Sequence, residues 1–550
     1  MNEQSLQLTR RISGIKLSLD EVKQEEFFLI KKAARFLGIK EEKIVSLEIH
    51  KKSLDARAHS EPFFLYSLDI IVYGNRNKEH TEYQSAQERV QQPIQAQIAV
   101  SIPKTRLLLP PLIVGAGPAG LFAALALAKA GYKPILIEQG QAVEQRLKDV
   151  ELFWLNGKLN EKSNVQFGEG GAGAFSDGKL TFRGKDPLAR SVLKTLVELG
   201  APPAILYWHK PHLGSDKLCE LLPLLRYRIE KAGGRIVFGA CVTDIVLKHK
   251  KKRRTIEGLI VSGAMAGEMP AQAVILATGN GARGVFNILS KREVALSAKA
   301  FAAGLRIEHS QHFINTAQYG LYAEHTALLP ADYVLKYRAA DNRSFYSFCM
   351  CPGGRIVNAS SEKGALVVNG ISLAARASGR ANSALVGEVK PGRDFIDDPL
   401  SALAWQEDIE KAAYLAGGGN YALPVCLAED FIYKSAPQAP PPQFAPLSVA
   451  FCPADLHSLL PEALAEGLTL ALKQWQRQIR GFAEQAVLAA PESRTSSPIR
   501  ILRGADGQSI NVSGLYPAGE GAGYAGGILS SACDGLRAAA AICEQYAPPK

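Results

Sequence analysis

The sequence predicts an α/β fold with a parallel central sheet. The first observation is an apolar run at 112–114, followed by a glycine-rich turn, a helical stretch over 118–130 and a second apolar run over 134–138. The second observation is a late return to strand, glycine-rich turn and helix over 514–546. A short buried strand, a tight turn, a helix and a second strand in this order are typical of a Rossmann-like dinucleotide-binding core.

Length and composition are those of a globular protein with several domains. The chain has 550 residues, of which 47% are hydrophobic and 21% charged, and this balance excludes a disordered or fibrous protein. The net charge of +11 suits an anionic ligand or nucleic acid but by itself selects neither. Eight cysteines without a C-x-x-C pair are too few for a disulfide framework.

No targeting, membrane or metal-binding segment is predicted. The first residues contain no apolar run of the signal-peptide kind. Residues 107–128 carry no charge, but their prolines and closely spaced glycines make a poor membrane helix. The H-x-x-H pairs His209/His212 and His309/His312 have no nearby third ligand for a metal. We therefore expect a cytoplasmic protein without a membrane span or a metal.

Residues 1–105 are predicted to form an N-terminal ferredoxin-like α+β module. Its strands are expected at 11–17, 44–50 and 63–73. Ser18 and Glu21 form a capping box before a helix, and Gly38 is the expected C-cap. The helix presents apolar residues at helical spacing, namely Phe27, Leu29, Ile30, Ala34 and Phe36. The polar stretch 75–93 is interpreted as a linker or surface loop.

The glycine-rich turn after the first strand of the core carries the strongest signal of a function. Gly115 allows the tight turn, Gly117 lets a pyrophosphate approach the backbone, and Gly120 lets the helix pack close to the sheet. The helix begins at Pro118 and Ala119, so its free N–H groups and positive dipole end would face the phosphates. This order of strand, turn and helix predicts dinucleotide binding.

An acidic residue ends the second strand. At Glu138 a carboxylate would accept hydrogen bonds from ribose hydroxyls, and it argues against a ribose 2′-phosphate. Gln139 and Arg146 complete the contacts predicted in this part of the chain.

Residues 166–180 (QFGEGGAGAFSDGKL) form a second glycine-rich segment. Five glycines would let the backbone lie against a flat ring and its phosphates. A flexible loop is the alternative, but the position after the β–α–β unit favours a cofactor cradle. The contacts predicted in this cradle are Gly170, Gly171, Ala172, Gly173, Ser176 and Lys179.

Two further segments resemble parts of FAD-binding chains of the glutathione-reductase type. Residues 274–279 (VILATG) resemble their Ala-Thr-Gly strand end, and 515–521 (LYPAGEG) resemble their late ribityl-binding strand. Glu520 stands where Asp is commoner in those chains. The resemblance implies FAD, because a lone NAD domain needs nothing from the far C-terminus. It implies contacts at Val242, which would meet the adenine, and at Ala277, Thr278, Gly279, Gly519, Glu520, Gly526, Gly527 and Ile528.

Over nearly its full length, the chain resembles the uncharacterised bacterial FAD-dependent dehydrogenases known as NAD(P)/FAD-dependent oxidoreductases. Besides the N-terminal module and the core, the resemblance rests on 301–309 (FAAGLRIEH) and 346–354 (YSFCMCPGG). It implies an FAD-binding core, 106–300 and 506–550, interrupted by an inserted α+β substrate or cap domain at 301–505. It does not imply a substrate.

Three weaker candidates have two interpretations each. Cys349 and Cys351 are either a redox pair beside the flavin or, as we favour, two small buried thiols. His309 is either an acid–base group or, more in keeping with a lone histidine, a structural residue. Residues 279–284 (GNGARG) repeat the G-x-G-x-x-G pattern, but no clear second β–α–β unit follows. NAD(P)H is therefore considered as a reductant without a domain of its own.

The predicted function is that of an FAD-dependent oxidoreductase with non-covalent FAD and an unidentified small-molecule substrate or electron acceptor. Two alternatives stay open, namely a flavoprotein that acts on or is regulated through nucleic acid, and a flavin-binding sensor without turnover. The basic run 248–254 (KHKKKRR) would serve the first alternative. It is better interpreted as a solvated hairpin tip, because no RNA-binding aromatic pattern accompanies it.

Overall fold

The computed structural model describes residues 6–57, 61–74, 105–181, 186–250 and 253–550. The chain divides into two compact units. The smaller unit comprises Met1–Gln97, Lys185–Pro211 and His312–Ala331, and the larger unit comprises the rest. The predicted linker at 75–93 lies outside the described residues.

The smaller unit contains a three-stranded antiparallel sheet. Its strands are Leu6–Ser18, Ile44–Asp55 and Phe63–Gly74. The strand Phe63–Gly74 lies between the other two and pairs with both. Its helices and 3-10 turns are Glu21–Gln24, Glu25–Leu37, Glu41–Lys43, Pro187–Glu198, Pro203–Leu206, most of Gln311–Tyr319, and Gly320–Tyr322. The order strand, helix, strand, strand matches the first four elements of a ferredoxin-like module and is consistent with that prediction.

The predicted ends of the first helical segment are confirmed. The Ser18 amide donates to Glu21 Oε2 at 2.9 Å, and the Glu21 amide donates to Ser18 Oγ at 3.2 Å. This capping box opens the 3-10 turn, which then continues into the α-helix Glu25–Leu37. Gly38 ends the helix with a φ of +65°, a conformation that glycine adopts without a steric cost.

The apolar face predicted for this helix is partly wrong. Leu29 and Ala33 are buried, whereas the side chains of Phe27 and Phe36 are 53% and 60% exposed. Positions three to four residues apart share a helix face, so Leu29 and Ala33 lie together while Phe27, two residues from Leu29, lies nearly opposite. Spacing alone did not decide which of two apolar stripes faces the sheet.

The larger unit is organised around a five-stranded parallel sheet. In spatial order its strands are Leu515–Pro517, Val274–Leu276, Leu112–Val114, Ile135–Ile137 and Arg235–Val237. Its associated α-helices are Pro118–Lys129, Val143–Asn156, Ser215–Lys231, Arg283–Lys291 and Ile528–Gln545, and a 3-10 turn covers Gly171–Phe175. The C-terminal strand lies beside Val274–Leu276, so the chain end completes the predicted Rossmann-like core.

A meander follows the fifth strand. Its strands are Ala240–Lys250, Arg253–Gly263 and Gly267–Pro270, and Val512–Ser513 joins the sheet beside Arg253–Gly263. From its sequence alone, the apolar run at 235–238 could belong to this meander, whereas the structure places it in the parallel sheet. Sequence alternation cannot distinguish the two, because both positions bury a short apolar strand.

A seven-stranded mixed sheet forms the remaining large part of this unit. In spatial order its strands are Lys336–Arg338, Ser344–Pro352, Arg380–Val389, Phe301–Ser310, Val487–Glu492, Leu423–Leu427 and Phe451–Pro453. Its helices are Pro399–Ala416, Ala428–Tyr433 and Glu462–Gln478. Two-stranded ladders pair Arg355–Asn358 with Val368–Ile371, Leu296–Ala298 with Ile499–Ile501, and Thr105–Arg106 with Tyr546–Ala547. The predicted domain boundaries at 105, 300 and 505 stay predictions.

Candidate functional site

The first glycine-rich turn makes the close backbone contacts that its glycines permit. Gly115 has a φ of +103°, and a Cβ there would lie 2.4 Å from the carbonyl oxygen of Ala277. A Cβ on Gly120 would lie 1.9 Å from the carbonyl oxygen of Gly115. For Gly117 the nearest atom to the Cβ position is Cα of Gly171, at 3.9 Å. The fold itself requires Gly115 and Gly120, whereas the side of Gly117 is open to a ligand.

The helix that follows this turn presents its N-terminus at the same place. Gly117 is the N-cap of Pro118–Lys129 and has no side chain to cap its first N–H groups. Such uncapped N–H groups, with the positive end of the helix dipole, favour a phosphate. A Cβ on Gly519 would lie 2.9 Å from Cβ of Ala119, so the C-terminal segment packs against this first helical turn.

Glu138 lies at the end of the neighbouring strand and is buried. Its Oε2 accepts a hydrogen bond from the Ala116 amide at 2.7 Å. Its Oε1 accepts from the amides of Gly140 at 2.9 Å and Gly168 at 3.0 Å. The carboxylate therefore ties the first glycine turn to the second glycine-rich loop, and contact with a ribose stays a prediction.

The second glycine-rich loop connects the two ends of the candidate site. The Gly170 amide donates to the carbonyl oxygen of Ala116 at 2.8 Å. A Cβ on Gly171 would lie 3.1 Å from Cα of Gly117, and one on Gly173 would lie 2.9 Å from the Ile528 side chain. The loop thus touches both the turn before the first core helix and the start of the last helix. Ala172, between these contacts, is exposed.

Arg146 stabilises this loop through hydrogen bonds from its buried guanidinium. Its guanidinium is fully buried and donates to the carbonyl oxygens of Asn164, Val165, Gly168 and Glu169 at 2.6–3.3 Å. It also lies 4.8 Å from the ring centroid of Phe175. Burial lowers the pKa of Arg146 to about 10. Its observed role is to position the loop, and direct contact with a cofactor stays a prediction.

The two segments that are predicted to border the adenine also lie next to each other. The amides of Gly239 and Ala240 donate to the carbonyl oxygens of Gly140 and Glu138 at 2.9 and 3.0 Å. The strand that contains Val242 therefore begins beside the end of the second core strand. The thiol of Cys241, next to Val242, donates to Oε1 of Gln139 at 3.5 Å.

The C-terminal segment closes the opposite side. A Cβ on Gly521 would lie 2.3 Å from the carbonyl oxygen of Gly279, so 519–521 lies directly against the 277–279 strand end. Gly527 is the N-cap of the helix Ile528–Gln545. Cβ positions on Gly526 and Gly527 meet nothing within 4 Å, which leaves this helix start open to a ligand.

Glu520 lies between these two segments. Its Oε1 accepts a hydrogen bond from Asn280 Nδ2 at 3.1 Å, and its Oε2 accepts from the Gly527 amide at 3.3 Å. Burial raises the pKa of Glu520 to about 7, whereas the Gly527 amide and the charge of Lys299 act in the opposite direction. The carboxylate that replaces the commoner Asp can therefore exchange a proton near neutral pH beside the open helix start.

A polar cluster that sequence reasoning missed lies at the end of the second loop. Asp177 accepts from the Ser372 hydroxyl, and its carboxylate lies 3.4 Å from Lys179 Nζ, 3.4 Å from Arg376 and 3.8 Å from His212 Nε2. Burial lowers the pKa of His212 to about 4. The H-x-x-H pattern pointed to His212 only as a metal ligand, and nothing in the sequence pointed to Ser372 or Arg376.

The other predicted polar contacts of this loop are internal to the larger unit. Ser176 Oγ donates to the carbonyl oxygen of Gly173 at 2.8 Å, and Lys179 Nζ donates to the carbonyl oxygen of Met350. Met350 lies between Cys349 and Cys351 on the strand Ser344–Pro352. The structure therefore joins the cysteine pair to the predicted cofactor cradle.

His309 has an interior position. Its side chain is fully buried, its Nε2 lies 2.7 Å from the carbonyl oxygen of Phe482, and its ring packs against Phe482 and Tyr333. Burial lowers the pKa of His309 to about 4. This environment favours the structural interpretation, and an acid–base role gains no support.

A buried ion-pair network borders the glycine-rich loop. Glu410 accepts from Arg283 at 2.8 Å and from Arg494 at 2.6 and 2.9 Å, and Arg494 also contacts Gln166 of the loop at 3.3 Å. Two arginines lower the pKa of Glu410 to about 2 against the effect of burial. Arg283 belongs to the 279–284 repeat of the glycine pattern, so here that segment contributes an ion pair.

That repeat does not begin a second nucleotide-binding unit in the described chain. The helix Arg283–Lys291 leads to Leu296–Ala298, which pairs antiparallel with Ile499–Ile501 instead of joining the parallel sheet.

Of the basic run at 248–254, residues 251 and 252 lie outside the described residues, and Arg253 and Arg254 donate to backbone carbonyls of Ser509, Arg292 and Glu293.

The described part of the chain offers neither a metal-binding cluster nor a membrane-spanning helix. Within the described ranges, no group of three or more His, Cys, Asp or Glu side chains has an arrangement that could hold a metal ion. No helix in the part of the chain that the structure describes is long and apolar enough to span a membrane.

Comparison with known proteins identifies three family segments. A family described as "FAD binding domain" matches residues 111–148, and one described as "FAD-dependent protein, C-terminal domain-like" matches residues 300–495. A domain of unknown function matches residues 9–71. An uncharacterized protein from Clostridium beijerinckii (strain ATCC 51743 / NCIMB 8052) is 40% identical over 545 residues, which cover 98% of this chain and 99% of that protein.

Similarity to solved structures is distant. A glycine oxidase from Geobacillus kaustophilus has 14% identity and a TM-score of 0.33, with 80% of this chain and 95% of that chain covered. A geranylgeranyl bacteriochlorophyll reductase-like protein from Thermoplasma acidophilum has 12% identity and a TM-score of 0.34, with coverages of 80% and 78%. Both structures have low sequence identity and low structural similarity to this chain.

The two FAD-related family segments include parts of the candidate site. The matched segments contain the turn at Gly115 and the strand that bears the cysteine pair. The chain therefore belongs to the family of the Clostridium beijerinckii protein, and it contains segments of an FAD-binding domain and of an FAD-dependent C-terminal domain.

Proposed function

We propose that the protein is an FAD-dependent oxidoreductase, and that FAD binds without a covalent bond along the path lined by the two glycine-rich loops and the start of the last helix. The observation that carries this proposal is the second loop, whose Gly171 and Gly173 contact Gly117 and Ile528. A path bordered by backbone and open at Gly117 and Gly527 fits a long dinucleotide, because no side chain projects from either glycine.

Different residues along the path would bind different parts of FAD. Gly117 and the N-terminus of Pro118–Lys129 bind the pyrophosphate, and Glu138 binds the adjacent ribose by exchanging one of its backbone partners for a hydroxyl. The backbone at Val242 borders the adenine. The start of Ile528–Gln545 borders the flavin ring, whose bound form supplies two-electron redox chemistry.

A small-molecule substrate would bind beside the polar cluster of Asp177, Lys179, His212, Ser372 and Arg376. Its two cationic side chains suit an anionic group, and Asp177 orients both. With its pKa near 4, His212 is neutral at physiological pH and can accept or donate one hydrogen bond to a bound molecule. NADH or NADPH would act as the reductant at the flavin without a nucleotide-binding domain of its own.

The first experiment identifies the cofactor and its attachment. The purified protein should be yellow, and acid denaturation should release all of its flavin as FAD. Release of FMN or NAD alone would contradict the proposal. Flavin retained by the precipitate would show a covalent bond, and the structure brings His212 and Cys349 near enough to the loop to make this measurement necessary.

The second experiment addresses the reductant and the substrate. NADH, NADPH and a panel of small anionic metabolites are added separately under anaerobic conditions while the flavin absorbance is followed. Loss of the oxidised-flavin band with one nicotinamide coenzyme identifies the reductant. A Ser372→Ala variant should weaken reduction by the active metabolite while its FAD content stays at the wild-type level, and unchanged kinetics would remove the cluster from the substrate site.

We also propose a cytoplasmic location and no role for nucleic acid. All eight cysteines are free thiols, as expected in a reducing compartment. Arg253 and Arg254 already donate hydrogen bonds to backbone carbonyls, so fewer N–H donors of the basic run are left to bind phosphates. Binding to RNA that persists at physiological salt would contradict this part of the proposal.

A further inference from the structure

Cys349 and Cys351 lie on a strand that is irregular at this point. The pairing of Ser344–Pro352 with Arg380–Val389 shifts register between Phe348 and Cys351. Cys349 has a φ of +45°, which is unusual for a residue with a side chain. The Cys351 thiol donates to the carbonyl oxygen of Cys349 at 3.2 Å. The bulge therefore places the Cys351 thiol against the backbone of Cys349.

Two cationic side chains border the pair. The Arg306 guanidinium is fully buried and lies 3.2 Å from Cys351 Sγ and 2.9 Å from the carbonyl oxygen of Cys349. Lys179 donates to the carbonyl oxygen of Met350, between the cysteines, and its side chain is 27% exposed. Glu492, which pairs with Arg306 at 3.0 Å, supplies the balancing carboxylate.

We propose that Cys349 and Cys351 form a redox-active dithiol that reduces a small disulfide. Cys349, which is partly exposed, is the attacking thiol, and Cys351, which is fully buried, is the resolving thiol. This proposal goes beyond the FAD-dependent activity, because the first two steps need only the two cysteines and the disulfide.

The chemistry balances as follows. The Cys349 thiolate attacks one sulfur of R–S–S–R, forms a mixed disulfide with it and expels the other sulfur as R–S⁻, which takes up the proton that Cys349 lost. The Cys351 thiolate then attacks Cys349 Sγ and expels the second R–S⁻, which takes up the proton of Cys351. The products are two R–SH and one Cys349–Cys351 disulfide. Bound FAD in its two-electron reduced state is the class of reductant that returns the disulfide to two thiols.

The pKa of Cys349 shifts in the opposite direction from that of Cys351, which burial raises well above its ordinary value. The Cys351 thiol, followed by the charges of Lys179 and Arg306, lowers the pKa of Cys349 to about 6 against the effects of burial and of the Asp177 carboxylate. Burial raises the pKa of Cys219 to about 11 and that of Cys426 to about 12. Because the thiolate is the nucleophile, Cys349 is the thiol best suited to attack at neutral pH.

The test uses the FAD-loaded full-length protein and 5,5′-dithiobis(2-nitrobenzoate), an anionic aromatic disulfide, as the probe. In the wild type, the fast phase should release two thiolates per chain, and intact mass should show no probe bound at the pair. Cys351→Ser should release one thiolate and retain one probe group on Cys349. Cys349→Ser should lack the fast phase. Cys351→Ala repeats the second measurement should the serine variant not fold.

Cys452→Ser is the matched control, because Cys452 is also partly exposed but burial raises its pKa. It should keep the wild-type fast phase. Two released thiolates from Cys351→Ser, or a wild-type fast phase in Cys349→Ser, would overturn the proposal. The flavin spectrum of each sample reports FAD content independently, so failure of the thiol chemistry is distinguished from failure of FAD binding.

The pH profile of the fast phase separates reactivity from simple exposure. In the wild type its rate should rise with pH to a midpoint near 6, the pKa of Cys349. Lys179→Gln should move that midpoint upward by about one pH unit, because an adjacent cation favours the thiolate. A wild-type midpoint at the ordinary pKa of an exposed cysteine would overturn the proposal, as would an unchanged midpoint in Lys179→Gln.

Discussion

Two regions of the larger unit use buried polar groups in opposite ways. Around Gly115 and Gly171 the polar groups are mainly backbone amides and carbonyls, to which the Glu138 and Arg146 side chains also bind, and missing side chains let the segments approach one another. Around Glu410 they are full charges on long side chains, which Arg283 and Arg494 bring from separate segments. The first arrangement leaves open space for a ligand, whereas the second fills its space and stabilises the fold. Substitutions in the two regions should therefore affect different properties.

Gly117→Val should have the largest effect, on FAD binding. The backbone there has a φ of −75°, which valine can adopt, and a Cβ meets no atom closer than 3.9 Å, so the protein should fold. The branched side chain would occupy the open side that we assign to the pyrophosphate. We expect FAD affinity to fall at least about 1,000-fold, or about 4 kcal/mol, in a calorimetric titration.

Gly284→Ala is the matched control for that measurement. Gly284 ends the second G-x-G-x-x-G pattern, and a Cβ there meets nothing within 4 Å. This variant should bind FAD like the wild type. Equal FAD affinity in Gly117→Val would remove the first glycine turn from the binding site.

Glu410→Gln should chiefly affect stability. It removes the buried carboxylate from Arg283 and Arg494, which keep the partly exposed Glu362 at 3.0 and 3.1 Å, and breaking a buried ion pair costs about 3–5 kcal/mol of unfolding free energy. Because the folded-state pKa of about 2 is below the ordinary value of 4.5, the carboxylate stabilises the fold above pH 4.5 and loses this effect as the pH falls toward 2. Chemical denaturation should show the difference from wild type shrinking over that range.

Glu407→Gln, on the same helix, is the control for Glu410→Gln. Glu407 pairs at the surface with Lys411 at 3.1 Å, and such pairs contribute about 0.5 kcal/mol or less. A loss in Glu410→Gln no larger than in Glu407→Gln would contradict the stabilising role of the network.

Glu520→Gln should show the opposite pH dependence at a smaller magnitude. The folded-state pKa of about 7 exceeds the ordinary 4.5, so wild-type Glu520 contributes stability below pH 4.5 that is lost as the pH rises through 7. Glutamine has no such charge to bury, so it should remove this pH dependence, which the shift from 4.5 to about 7 sets at about 3 kcal/mol. Melting temperatures of both proteins between pH 4.5 and 8 test this, and parallel curves would contradict it.

Gly527→Leu should have the smallest effect, on the flavin potential. Gly527 has a φ of +99°, and its side of the helix start is open. Displacing the N-terminal amides of Ile528–Gln545 from the flavin should disfavour the reduced anion by about 0.3–1 kcal/mol and make the potential more negative. Gly267→Leu, with a φ of +132° and open space, controls for backbone strain. Equal potentials in both variants would exclude the last helix from the flavin site.

The parts of the site that sequence analysis anticipated are local in the chain. Gly115, Gly117 and Gly120 lie within six residues, and their roles follow from the backbone between one strand and one helix. The contact of 519–521 with 277–279 is not local, and only resemblance to known FAD-binding chains suggested it. Arg146 was predicted as a cofactor contact, which stays a prediction, whereas its four hydrogen bonds to carbonyl oxygens of the second loop could not be anticipated from the sequence.

By itself, the sequence determined the α/β class, the order of the nucleotide-binding strands and helices, and the need for glycine at each tight approach. These depend on backbone sterics and on the periodicity of apolar residues, which are properties of short segments. Only the tertiary structure decided that Asp177 meets His212 and Ser372, that Arg306 contacts Cys351, and that Phe27 is exposed. Side chains far apart in the chain are brought together by packing, and no local sequence pattern predicts which partner a buried charge will have.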